Sequence, residues 1–185
     1  MAYEWQPAWQ RWRELVPPPD EPVDNDDLDW EFAQSQLNVR LPDDYRAYID
    51  TYGVGYVNRL FLVLHPTTEL AAGNLADVAE GQGEVEGLST LLRPPPYAWP
   101  GIGPDRLMAC ATTTNGDVAY WYTDGPDPGE WPIVLRNSAG DRWETFEMSL
   151  VELLLGIFTG TVAEHFARAG WARQPIRFAA HPFTG

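Results

Sequence analysis

Along the chain, apolar stripes at helical spacing give way to short apolar runs separated by Gly, Pro and Asn. Between Tyr3 and Val16, Trp5, Trp9, Trp12 and Val16 recur on one stripe, which predicts an amphipathic helix stopped by Pro17, Pro18 and Pro19. A second helix can begin with Asp26 or Asp27 as its N-cap, turn Trp30, Ala33 and Leu37 inward and end near Asn38. Leu41-Pro42-Asp43-Asp44 opens a third, with a buried stripe of Tyr45, Tyr48, Ile49 and Tyr52, and Gly53 is suited to end it with a positive φ. Leu60 to Leu64 has the length of a buried strand. Thr67 to Arg93 mixes Leu70, Leu75, Val78 and Leu91 with four glycines and predicts a long excursion with one or two helical turns. Pro94 to Pro96 and Pro100 then mark an extended link.

The second half carries the clearest pattern. Leu107 to Thr113 and Val118 to Thr123 flank Asn115-Gly116, a strong hairpin cue, and both runs are apolar on both faces. Strands are also expected over Trp131 to Leu135 and Arg142 to Phe146, with turns at Asp124 to Glu130 and Asn137 to Asp141. Ser149 and Glu152 have the spacing of a capping box, with Met148 and Leu153 as its hydrophobic staple. The helix they open places Leu150, Leu153, Leu154, Ile157 and Phe158 on one face and stops at Gly160. A short helix over Val162 to Ala169 and a tail anchored by Trp171 and Phe178 complete the chain. Helices, then antiparallel hairpins, then a helix make an α+β fold.

Length changes little in that picture: 185 residues suit one domain. It divides into an N-terminal helix and acidic linker over 1–27, a core over 28–160, and a C-terminal helix and tail over 161–185. Met1 to Val16 holds Glu4, Arg11, Arg13 and Glu14 instead of a leader's apolar core, and no long apolar stretch follows. A cytoplasmic location is therefore expected.

Charge changes more. The net charge is −15, every basic residue is an arginine, and seven acids without a base lie between Asp20 and Glu31: Asp20, Glu21, Asp24, Asp26, Asp27, Asp29 and Glu31. Nucleic acid and anionic membranes are disfavoured as partners, because phosphate binding depends on clustered Lys and Arg. A basic protein is favoured. The alternative is that the acids only keep the chain soluble.

The remaining candidate chemistry is thin. Asp24, Asp26 and Leu28 fall at positions one, three and five of a calcium loop, but Asp29 stands where Gly is needed and Ser35 where Glu is needed. His65, His165 and His181 are far apart, and Cys110 lies in an apolar strand, so no metal and no cofactor is expected. Asp105, Asp117, Asp124 and Asp127 sit near strand ends, where an acid–base pair or ordinary turn hydrogen bonds would both use them; the turn role is expected. Trp99, Trp121 and Trp131 are candidate interface anchors, to be weighed against core packing.

Leu41-Pro42-Asp43-Asp44-Tyr45-Arg46-Ala47-Tyr48, closing on Tyr52-Gly53, resembles the signature of the SUKH superfamily. That superfamily includes the yeast cell-wall-synthesis regulator domain and many bacterial immunity proteins. Thr114 to Asp117, Tyr120-Trp121, Asp124-Gly125 and Trp131 to Val134 are similar to its central hairpins. Trp143-Glu144, Phe146 and Ser149 to Gly156 are similar to its closing strand and helix. Gln34 and Asn38 depart from it, standing where an acid and a Gly are usual.

The resemblance implies a mixed, mainly antiparallel sheet flanked by helices and a protein-binding role without catalytic residues. In bacteria such a role is the neutralisation of a cognate toxin, often a nuclease or deaminase. A scaffold or regulatory domain that binds another intracellular protein is the alternative, and an enzyme using Asp or His side chains is the third class. A neighbouring gene for a secreted protein with a basic C-terminal domain would favour the first.

Overall fold

The computed structural model describes residues 2–26, 28–68, 74–75, 104–162, 171–172 and 175–181. The expected excursion over 67–93, the proline link at 94–100 and the helix at 162–169 fall almost entirely outside them, as do Asp27, Trp99 and His165.

Three helices come early: α1 (Gln6–Leu15), α2 (Trp30–Leu37) and α3 (Asp43–Tyr52). In α1 the expected stripe is used, with Trp12 and Val16 fully buried and Trp9 edge-on to Tyr52 at 6.0 Å. The N-cap of α2 is Asp29, not Asp26 or Asp27: its carboxylate accepts from the amides of Glu31 and Phe32 at 2.9 and 3.1 Å. Asn38 ends α2 in the left-handed region, at φ 51°. The stripe of α3 is buried in full.

The sheet comprises β1 (Gly55–Val57), β2 (Phe61–Val63), β3 (Leu107–Thr113), β4 (Val118–Tyr122), β5 (Ile133–Arg136), β6 (Trp143–Phe146) and β7 (Phe178–Ala180). Its order is β6-β5-β4-β3-β2-β1-β7 and every paired strand is antiparallel. Among the described residues, parallel pairing is confined to two isolated bridges, Val23 with Gly53 and His65 with Asn74. The chain thus runs as a meander from β1 to β6 and returns to add β7 beside β1. The register between β3 and β4 shifts between Ala109 and Ala111, leaving Cys110 as the extra residue of a bulge.

After β6 comes α4 (Leu150–Thr159). The capping box is complete: the Ser149 hydroxyl accepts from the Glu152 amide at 3.3 Å, and the Glu152 carboxylate accepts from the Ser149 amide at 2.8 Å. Ser149→Ala is expected to lower stability by about 0.5–2 kcal/mol in chemical denaturation, without loss of partner binding. Binding lost at unchanged stability would make Ser149 a contact residue instead.

One core joins these parts. Trp12 and Phe158 approach at 5.9 Å, Phe61 and Phe158 at 6.3 Å, and Tyr45 meets Trp121 edge-on at 4.9 Å, so α1, α3 and α4 share one side of the sheet. The opposite faces of β3 and β4 are buried too, as two-faced apolar strands require.

Candidate partner-binding face

The acidic segment does not project as a free linker after the three prolines; it is fastened along α3 and the start of β1. The Val54 amide donates to the Val23 carbonyl at 3.1 Å. Asn25 donates to the Ile49 carbonyl at 2.6 Å, and its other amide atom faces His65 Nε2 at 3.1 Å. The Thr68 hydroxyl donates to the Asp24 carboxylate. Gly53 makes the approach possible: a Cβ there would lie 2.3 Å from the Val23 carbonyl oxygen, and its φ is +62°.

Asp24 is therefore a structural residue, held at φ 64° and bonded across 44 residues of sequence, and Asp29 is occupied in capping. Asp20, Glu21 and Asp26 are exposed and, with Glu31, lack any ion pair among the described residues. Trp30 links α2 to α3 by donating to Asp50 at 2.8 Å, and Arg46 lies over its ring at 5.2 Å. On the rest of α2, Glu31, Phe32, Ser35 and Gln36 are exposed. Phe32 is the single large apolar side chain that stands in solvent among the described residues, at 56% exposure.

Phe32 was missed in the sequence, although a signal existed. The inward stripe of α2 uses Trp30, Ala33 and Leu37, and position 32 falls off that stripe.

The expected tryptophan anchors are corrected. Trp121 is buried against Tyr45, and Trp131 is buried with its indole N–H donating to the Gly125 carbonyl at 3.1 Å. Both are core side chains because β4 and the turn before β5 point them at the start of α3. They line a cavity of about 180 Å³ with Pro42, Asp44 and Leu150, across which Tyr3 is tied by its amide to the Gly129 carbonyl at 3.0 Å.

Asp44 is the other residue that sequence reading did not single out. Its carboxylate is buried and accepts from the Val151 amide at 3.1 Å, joining the start of α3 to the start of α4. Burial pushes its pKa up to about 6, against the hydrogen bonds from backbone amides, which lower it. His65 moves the other way: burial lowers it to about 4, partly opposed by Asp24.

The two groups have opposite linkage. The folded state favours protonated Asp44, so its contribution is full at low pH and lost as pH rises through about 6. The folded state favours neutral His65, so its contribution is full above about 6.5 and lost as pH falls towards 4. Asp44→Asn removes the compensating group. Acidification from about pH 7 to about pH 5 is then expected to cost the variant about 1 kcal/mol more than the wild type, read by denaturant titration at both values. Parallel losses would contradict this assignment.

The acids near the strand ends do not assemble an acid–base pair. Asp117 accepts from the Thr113 hydroxyl at 2.8 Å and the Ser138 amide at 2.9 Å, tying two hairpin turns together. Asp124 pairs with Arg106 at 2.7 Å, and Asp127 accepts from the Gly129 amide at 2.9 Å, capping a single 3-10 turn. Asp105 is exposed in another such turn. Cys110 is buried, and burial raises its thiol well above the usual range. Among the described residues, no group of three His, Cys, Asp or Glu side chains could hold a metal ion, and no helix is long and apolar enough to cross a membrane.

No family model, no curated protein and no solved structure matches this chain.

Proposed function

We propose that this chain is an immunity-type binding protein acting in the bacterial cytoplasm, where it neutralises a cognate toxin domain by covering its basic, nucleic-acid-binding surface. The observation that carries this reading is that Asp20, Glu21, Asp26 and Glu31 are exposed and without an ion pair among the described residues, and that Phe32, next to Glu31, is the one large apolar side chain exposed among them. Unpaired carboxylates raise the negative potential and steer a cationic partner, while an apolar ring supplies short-range affinity once the partner has docked. The order of motifs that resembles the SUKH superfamily supports the same reading. So does the fastening of the segment by Asn25, Asp24 and Gly53, because a face fixed before binding loses less entropy on docking.

Co-expression tests it. A toxin domain of nuclease or deaminase type, with a basic surface and encoded beside this gene, should stop growth alone and be harmless when this chain is present. Its continued toxicity in the presence of the folded chain would reject the proposal.

A further inference from the structure

β7 ends the sheet order beyond β1, so among the described residues one of its edges has no strand beside it. Its hydrogen-bond phase says which groups that edge presents. The Asn58 amide donates to the Arg177 carbonyl at 2.7 Å, and the His181 amide donates to the Val54 carbonyl at 2.9 Å. Residues 177, 179 and 181 therefore turn their backbone groups towards β1, and by alternation Phe178 and Ala180 turn theirs outward. Among the described residues nothing pairs with those outward groups. The strand is half-exposed along its length and carries neither a charge nor a proline to blunt its edge.

The two ends of this edge differ in charge. At one end, Arg177 precedes β7 and Arg59 lies in the turn after β1; both are exposed, neither is ion-paired among the described residues, and they border one open groove with Leu60, Pro175 and Phe178. Arg59 and Asn58 are held at φ 57° and 52°, consecutive left-handed residues that fix how this turn is presented. At the other end, three strand residues or about 10 Å away, Val23 attaches the segment of Asp20, Glu21 and Asp26 to Gly53 and Val54. Within one molecule, each charge cluster lies at its own end of β1.

From this we infer that β7 is a homodimer edge, on which a second copy of the chain pairs its own β7 antiparallel about a two-fold axis through Ala179. That operation sets Phe178 opposite Ala180 of the other copy, where the outward N–H and C=O groups of each meet their counterparts. It also brings the Arg59 and Arg177 end of each copy against the Asp20 to Asp26 end of the other. The charge contact is made twice, which is what a closed isologous interface needs. The large net negative charge of each chain opposes association, so a weak, concentration-dependent dimer is expected.

Sedimentation equilibrium of the full chain from about 1 μM to about 1 mM should show a monomer–dimer equilibrium. Ala180→Pro deletes an outward N–H without touching the ladder to β1, and Arg177→Glu reverses a charge at the groove. Each should weaken dimerisation by about tenfold or more while leaving the circular dichroism spectrum and melting temperature of the dilute protein unchanged. A monomer at every concentration would overturn the inference, and so would a dimer indifferent to both variants. A monomer whose Phe178 and Ala180 amides gain hydrogen-exchange protection only when a basic toxin domain is added would give the edge to that partner and overturn self-pairing.

Discussion

Leu154→Ala is expected to lower the stability of the chain by about 2–5 kcal/mol, the usual cost of a cavity left by a large-to-small change at a closed core position. Leu154 is fully buried on α4, between Leu153 and the neighbours of Ile157 and Phe158, which are fully buried as well. This helix faces α1 through the Trp12–Phe158 contact and the sheet through the Phe61–Phe158 contact, so its side chains have no route to relax towards solvent. Chemical denaturation of the pure variant measures the loss. A change of a few tenths of a kcal/mol would mean that the space left by the side chain is refilled and that α4 does not organise the core.

The second large effect is on binding. Phe32→Ala should weaken the complex with the toxin domain by about 2 kcal/mol or more, roughly thirtyfold in Kd, while leaving stability nearly unchanged. The two halves of that expectation have separate causes. The ring is mostly in water in the free chain, so removing it forfeits little packing. In a docked complex the same ring would be desolvated in a partner pocket, which is where truncation is costly. Titration calorimetry and thermal melting of the same sample read both. An unaltered Kd would take Phe32 out of the contact and leave the acids without an apolar centre.

Much of this fold is legible in the sequence because its signals are local. The Trp stripe of α1, the Tyr stripe of α3, the Asn115-Gly116 turn and the Ser149–Glu152 box each state their outcome within a few residues, and each appears where expected. The strands β1 and β7 were not legible. Gly-Tyr-Val and Phe-Ala-Ala are three residues each, too short to show an alternation; β1 is held between β2 and β7, and β7 becomes a strand by pairing with β1 across more than a hundred residues.

The candidate site follows the same division. That Asp20 and Glu21 are exposed acids could be expected from the charge run, whereas Asp26, expected as a possible N-cap, is exposed because Asp29 takes that role. That Asp24 belongs to the structure could not, since its partner Thr68 lies far along the chain. Trp121 shows the limit from the other side: in a strand apolar on both faces, alternation does not say which Trp is covered, and the Tyr45 contact that covers it comes from a distant helix.

These distinctions set the design of the most direct test. Asp20, Glu21 and Asp26 are exposed and make no ion pair among the described residues, so Asp20→Asn, Glu21→Gln and Asp26→Asn together should lower the negative potential of the face without unfastening it. Asp24 and Asp29 are left intact, since their loss would disturb the Thr68 bond and the cap of α2. The measurement is the association rate of wild type and triple variant with the toxin domain encoded beside this gene, at low and at high salt. The expected result is a fast, strongly salt-dependent rate for the wild type, and for the variant a slower rate with a shallower salt dependence at a similar dissociation rate. Identical association rates and identical salt slopes would contradict the claim that this acidic face receives the partner.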